Sequence, residues 1–220
     1  MPFKDIATSD SIYLPEVPKT DDTATRRSIK RLQDVAVGVF APISELNSKP
    51  LPNAIAIVSL DEIAKAGKLP PLPQGAVRYA IKVTGLEDAK AYSFIGSATA
   101  LVATVIIDVP GETSRVHASR RVFQLLSDMK SVMPVVHSMS ISPKDKDELI
   151  LRCGSEAGAL LVDGLGDGVM ISAPNFDLNL LRQTSFNLLQ VESVPPLKNR
   201  EFLKKKYFRI VAKLNLTTES

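Results

Sequence analysis

The sequence predicts an α/β protein built on a parallel sheet. Two observations carry this. Short apolar runs alternate with amphipathic stretches along most of the chain, the strand–helix–strand rhythm of parallel β/α folds. And the clearest of the runs, "ALVATVIIDV" (100–109), is near-continuously apolar, as a strand buried on both faces must be. At 220 residues the chain is close to the upper range of one ordinary domain.

The first fifteen or so residues read as irregular, with "LPEVPK" extended by its prolines. "TDDTATRRSIKRLQDVAV" reads as a helix, with acidic residues at its start, basic ones after, and Ile29, Leu32 and Val35 on one face. "VAVGVF" and "NAIAIVSL" are short buried strands, separated by a loop that Pro42, Pro50 and Pro52 mark. "SLDEIAKAG" is a short helix ended by Gly67, and the alternating "GAVRYAIKV" is a strand. "LEDAKAYSFIG" is helical and precedes the strand at 100–109. "TSRVHASRRVFQLLSDMK" is an amphipathic helix whose apolar stripe is Val116, Val122, Phe123, Leu126 and Met129. "MPVVHSMSI" is a strand, "DKDELILRCGSEAGALLVDG" holds one or two helical pieces, and "GVMIS" is a last strand. "NFDLNLLRQTSFNLLQ" is a last helix, with Asn175 as its expected N-cap.

That makes six strands, fewer than a closed eight-stranded barrel needs. After Gln190 the texture changes. "VESVPPLKNREFLKKKYFRIVAKLNLTTES" opens on Pro195-Pro196 and carries the Lys204–Lys206 run. "YFRIVAKLNL" has strand character but no regular place in the preceding rhythm. The expectation is a fold in residues 1–190 and a divergent basic tail, 191–220, outside it.

Charge follows the same division. The formal net charge is +3, but the tail holds seven basic and three acidic residues, leaving 20 and 21 in the rest. A nearly neutral body argues against nucleic acid as a partner. The longest apolar run, residues 98–107, is too short to cross a bilayer, so no membrane role is expected. The N-terminus shows neither a secretory signal nor a transit peptide. A single cysteine, Cys153, rules out an internal disulfide framework.

Few residues advertise chemistry. "DGLGDG" (163–168) has three glycines, Gly164, Gly166 and Gly168, yet it follows a helix and precedes a strand, the reverse of a dinucleotide fingerprint, and it lacks a GK[ST] ending. It reads as a corner in which Gly164 caps the helix and Asp163 and Asp167 bond local amides; a phosphate or metal loop is the alternative. His117 shares a polar helix face with Arg121, Gln124 and Asp128. That face reads as solvated, the alternative being an anion site of His117, Arg120 and Arg121. His137 reads as a satisfied buried histidine rather than a base, and Cys153 as a small buried apolar residue rather than a nucleophile. The Lys204–Lys206 run reads as solvated.

Several long stretches, in order, resemble one family. They are "MPFKDIATSDSI", "IKRLQDVAVGVFAPISE", "KPLPNAIAIVSLDE", "SRVHASRRVF", "GALLVDGLGDGVM", "APNFDLNLL" and "TSFNLLQ". Together, over about residues 1–190, they are similar to the plant-type 4-hydroxy-3-methylbut-2-enyl diphosphate synthase (GcpE) family of plastid isoprenoid biosynthesis. The resemblance implies a three-part parent. A barrel binds the cyclic diphosphate, an inserted barrel-like domain follows, and a C-terminal domain carries a four-iron four-sulfur cluster on three cysteines and a glutamate. Ferredoxin is the implied electron donor and the plastid the implied compartment. This chain resembles the inserted domain, which in the family acts as a spacer. The expected fold is therefore an α/β, partial TIM-barrel-like parallel β/α unit, whose missing strands would leave unpaired sheet edges.

The family's cluster motif, CPSCGR-like, has no counterpart after Gln190, and Cys153 lies before that point. No catalytic, cofactor-binding or metal-binding residue of the family carries over to this chain, and no cluster is expected in it. The expectation is an inactive, structural part of the synthase, with Val191 onward read as translated intron. The alternative is an interaction module that binds the full-length synthase.

Overall fold

The computed structural model describes residues 10–35, 37–97, 100–190 and 208–211. Its centre is an all-parallel sheet whose strands pair in sequence order: β1 (Asp10–Tyr13), β2 (Gly38–Pro42), β3 (Ala54–Ser59), β4 (Arg78–Val83), β5 (Val102–Ile107), β6 (Val135–Ser140) and β7 (Gly168–Ser172). The fold is α/β, as the alternation of elements predicts, and TIM-barrel-like, as the family resemblance implies. These seven strands form a curled parallel sheet. A short eighth strand, β8 (Phe208–Val211), pairs with β7 on one side and with β1 on the other, and so completes the ring.

Six of the strands are those read from sequence. The other two are four-residue strands in segments read as irregular or as tail. The expectation that residues 191–220 stand outside the fold is thus corrected for Phe208–Val211. The expected unpaired edges are corrected with it, because β8 hydrogen-bonds to both strands that would otherwise end the sheet. The Lys204–Lys206 run lies outside the described residues.

Helices cover the outside of the ring: α1 (Thr23–Asp34), α2 (Ile43–Ser48), α3 (Leu60–Ala66), α4 (Ser93–Ser97), α5 (Arg115–Asp128), α6 (Lys146–Cys153), α7 (Ala159–Val162) and α8 (Leu178–Gln190). A 3-10 turn, Ala89–Tyr92, leads into α4, and a π turn, Gly154–Gly158, joins α6 to α7. Local chemistry sets their ends. Asp22 accepts from the Thr25 amide at the start of α1, and Asp145 from the Glu148 amide at the start of α6. Gly67, at φ 68°, ends α3 as predicted. Asn175 is not the cap of α8; Asp177 is, its Oδ1 accepting from the amides of Asn179 and Leu180. Val35 misses the core face of α1 and is 71% exposed.

Successive strand residues point to opposite faces, and this divides the core. Outward side chains such as Val39, Ala56, Ile81, Val105 and Val135 pack under α1–α5, and Met139, Val169 and Ile171 pack under α6–α8. Phe40, Ile55, Ile57, Ala80, Ile106, Val136 and Met170 fill the ring itself. The interior is a packed core rather than a pore, as in barrels of this class. Among its buried polar residues, Thr104 donates its hydroxyl to the Pro134 carbonyl at 2.9 Å.

Candidate functional site

Inward positions nearer the C-terminal strand ends turn polar. Tyr13 on β1, Ser59 on β3, Lys82 on β4, Asp108 just after β5, Ser140 on β6 and Ser172 on β7 ring a cavity of about 210 Å³ at the mouth of the barrel. A second cavity, of about 690 Å³, adjoins it and shares Lys82, Asp108 and Ser140. Its walls are the β4, β5 and β6 loops, the start of α5 and the α6–π turn, with Arg115, Arg152 and Glu156 among the lining residues. This is the end of a parallel barrel where loops converge and ligands bind.

The charges at the mouth are arranged in pairs. Lys82 Nζ lies 3.7 Å from Asp108 Oδ2, with both side chains partly exposed. Arg115 is fixed more firmly. It donates from Nη1 to the Ser138 carbonyl at 2.6 Å and from Nε to Glu156 Oε2 at 2.9 Å, with only 9% of its side chain exposed. The π turn carries Glu156, and such wide turns within helices are frequent at functional sites. Arg152 pairs with Glu148 one turn back. Burial, then the Asp108 carboxylate, raises the Tyr13 phenol above its ordinary value.

The rim is held by a buried carboxylate. Glu87 accepts from the Thr84 amide and hydroxyl, from the Gly85 amide at 2.9 Å and from the Tyr92 hydroxyl at 3.0 Å. Burial pushes its pKa up, but these donors outweigh burial and hold it below the ordinary carboxylate value. Burial and the same carboxylate raise the Tyr92 phenol strongly. Arg121 ties α5 to this rim, donating to the carbonyls of Gly85 and Glu87.

The structure does not assemble the anion site of His117, Arg120 and Arg121. His117 is exposed, Arg120 pairs with Asp163 on the far side of α5, and Arg121 is bound to the rim carbonyls. Gln124 donates to Asp128 on the solvated face. Val116, placed on the apolar stripe from sequence, lines the larger cavity instead.

The glycine loop is a corner. Gly164, at φ 73°, ends α7 in the left-handed conformation, its amide bonding the Leu161 carbonyl while the Leu165 amide bonds that of Leu160. The aspartates reach further than a local turn. Asp163 holds Arg120, and Asp167 Oδ2 accepts from the Val135 amide at 2.9 Å while its own amide donates to the Val135 carbonyl. Gly166, at φ 137°, lies against His137; a Cβ there would stand 2.7 Å from His137 Nε2.

His137 is fully buried, its Nε2 2.7 Å from the Leu165 carbonyl and its ring 6.0 Å from that of Phe123. A carbonyl only accepts, so Nε2 carries the proton and Nδ1 is bare, without a partner among the described residues. Burial lowers its pKa to about 4, outweighing the Leu165 bond. Cys153 is buried in the α6–α8 layer, and burial raises its thiol to about 11, far from a thiolate nucleophile. A lone thiol does not fit a four-iron four-sulfur cluster, which takes several thiolates. Among the described residues no group of three His, Cys, Asp or Glu side chains is placed to hold a metal, and no helix is long and apolar enough to cross a membrane.

The mouth residues were missed from sequence, although a signal was present. Ser59, Lys82, Ser140 and Ser172 are polar residues at the last inward position of an apolar strand, and Asp108 directly follows one, as in "AIKV", "HSMS" and "VIID". Fold and mouth together define a parallel β/α barrel of the TIM class, with its polar cavity at the strand C-termini.

Comparison with known proteins places the chain more narrowly. It is 46% identical over 194 residues to the chloroplastic 4-hydroxy-3-methylbut-2-en-1-yl diphosphate synthase (ferredoxin) of Arabidopsis thaliana, a match covering 86% of this chain and 26% of the relative. The corresponding protein of Oryza sativa subsp. japonica is 44% identical over 196 residues, with the same coverage. The 4-hydroxy-3-methylbut-2-en-1-yl diphosphate synthase (flavodoxin) of Protochlamydia amoebophila is 29% identical over 187 residues, covering 84% of this chain and 27% of the relative. The chain belongs to the 4-hydroxy-3-methylbut-2-en-1-yl diphosphate synthase family, and it spans about a quarter of the length of these relatives. No family model matches the chain, and no solved structure matches it.

Proposed function

We propose that this chain is the part of a plant-type 4-hydroxy-3-methylbut-2-enyl diphosphate synthase that corresponds to the inserted middle domain, and that it serves as a structural spacer. In the parent it stands between the substrate-binding barrel and the iron–sulfur domain, which together reductively open 2-C-methyl-D-erythritol 2,4-cyclodiphosphate in plastid terpenoid biosynthesis. Ferredoxin supplies the electrons to the parent, and the chain by itself is inactive. The observation that carries this reading is the match of 86% of the chain to 26% of a chloroplastic ferredoxin-type synthase. Residues 1–190 correspond to the inserted domain; the segment from Val191 diverges in composition, while its Phe208–Val211 stretch pairs in the sheet.

The test is to assay the purified chain for the visible absorbance of an iron–sulfur cluster and for turnover of the cyclic diphosphate with reduced ferredoxin. Neither is expected. Turnover by the chain alone would overturn the reading.

Ile150, Leu151 and Val162 are exposed apolar side chains on α6 and α7, and they favour a second reading, a module that docks on full-length synthase. A pull-down with the purified full-length enzyme decides it: no retained synthase removes this reading and leaves the first in place.

A further inference from the structure

We propose that the barrel mouth binds a small organic oxyanion, a phosphate or carboxylate group carried on a hydroxylated body. The two adjoining cavities are built by this chain alone, whatever its place in a larger enzyme. The larger, about 690 Å³, is in the range of small-molecule sites. Three cations line it, Lys82, Arg115 and Arg152, against two carboxylates, Asp108 and Glu156.

The cations differ in what they have left to give. Arg115 is buried and oriented by two hydrogen bonds, so its guanidinium is pre-organised at the cavity wall. Lys82 stands at the junction of the cavities, and its nearest anion, Asp108, is 3.7 Å away, past hydrogen-bonding distance. Its ammonium therefore has donors to offer an oxyanion without first breaking a tight pair. Arg152, with a partly exposed side chain, approaches from α6.

The backbone adds to the same side. Thr113, Ser114 and Arg115 bring the start of the fourteen-residue α5 to the cavity. That helix has no acidic residue in its first turn, and its N-cap Ser114 makes no side-chain bond to it. Its first amides and dipole favour a negative group. The remaining lining explains the body of the ligand. The hydroxyls of Thr113 and Ser140 donate or accept, and Asp108 and Glu156 accept from ligand hydroxyls. An oxyanion thus meets the donors of Lys82, Arg115 and Arg152, and the hydroxyls of its body meet the serine and threonine hydroxyls and the carboxylates paired beside those cations.

The experiment titrates the full chain with inorganic phosphate, glycerol 3-phosphate and malate at constant ionic strength, following thermal stability and backbone amide shifts. A saturable response is expected, with amide shifts at Lys82, Thr84 and Ser114–Val116, and with glycerol 3-phosphate or malate binding more tightly than phosphate. The stronger of the two organic ligands identifies the anionic group. Lys82→Gln and Arg152→Gln, both partly exposed and outside the packed core, are each expected to weaken binding about tenfold while the free proteins keep the parent melting temperature. No saturable response to any of the three ligands, shifts confined to other surfaces, or unchanged affinity in both variants would overturn the proposal. An inactive chain that nonetheless binds separates this result from the synthase assay, which reads cluster absorbance and turnover.

Discussion

The two faces of β6 make opposite use of polar residues. On the outward face His137, a residue type made for catalysis, is sealed beneath Phe123 and the Gly166 corner and held neutral by burial. On the inward face Ser138 and Ser140, residue types that attract no notice, front the mouth of the barrel beside Lys82 and Arg115. One strand, with side chains alternating by a single residue, carries both. Residue type proposes a site, but the side of the sheet and the end of the strand decide it.

The largest effect that tests this contrast is on the sealed side. Gly166→Ala adds a Cβ at 2.7 Å from His137 Nε2, on a backbone at φ 137° that side chains rarely adopt. Strain and overpacking together are expected to cost roughly 4 kcal/mol, read as a fall in the urea midpoint. A variant as stable as the parent would show that the corner does not seal His137.

Next is the pH dependence of that seal. Burial holds the folded His137 at about 4, below its ordinary value of 6.5. Between those values the unfolded chain takes up a proton that the folded chain refuses. Stability is therefore full above the unfolded value and falls as pH drops from there toward 4, by about 3 kcal/mol. His137→Gln should flatten this part of the stability profile. An unchanged profile in the variant would move the acid sensitivity elsewhere.

Glu87 supplies a smaller effect of the same direction by the opposite chemistry. Its lowered pKa means that its stabilisation is present above the ordinary carboxylate range and lost as pH falls through it. Glu87→Gln should cost about 2 kcal/mol, since donors aimed at a carboxylate then meet an amide NH2, and calorimetry of the pair at neutral pH reads it. Smallest is the mouth itself. Ser140→Ala is expected to change stability by under about 0.5 kcal/mol, because the side chain faces an open cavity. A loss comparable to Gly166→Ala would mean that the inward face is as tightly built as the outward one.

Much of this was legible before the structure. The strands now numbered β2–β7 announce themselves because parallel strands covered on both faces need near-continuous apolar runs, as in "AIAIVS" and "VATVII". Gly67 and Gly164 mark helix ends, since the left-handed backbone there favours glycine. The mouth was not legible in the same way. Lys82, Asp108 and Arg115 are unremarkable in isolation, and only parallel strands in register bring the ends of β4, β5 and β6 together.

The sequence by itself determined the parallel β/α order, the burial of His137 and Cys153, and the corner at Gly164, because each rests on local propensity and on apolar periodicity. The tertiary structure alone decided three things. β8 completes the ring, Asp163 and Asp167 hold distant partners rather than local amides, and Lys82, Arg115 and Glu156 meet at one end. The physical reason is common to all three. Strand pairing and ion pairing join residues tens of positions apart, and no pattern within a short window records which distant partner the closed sheet will supply.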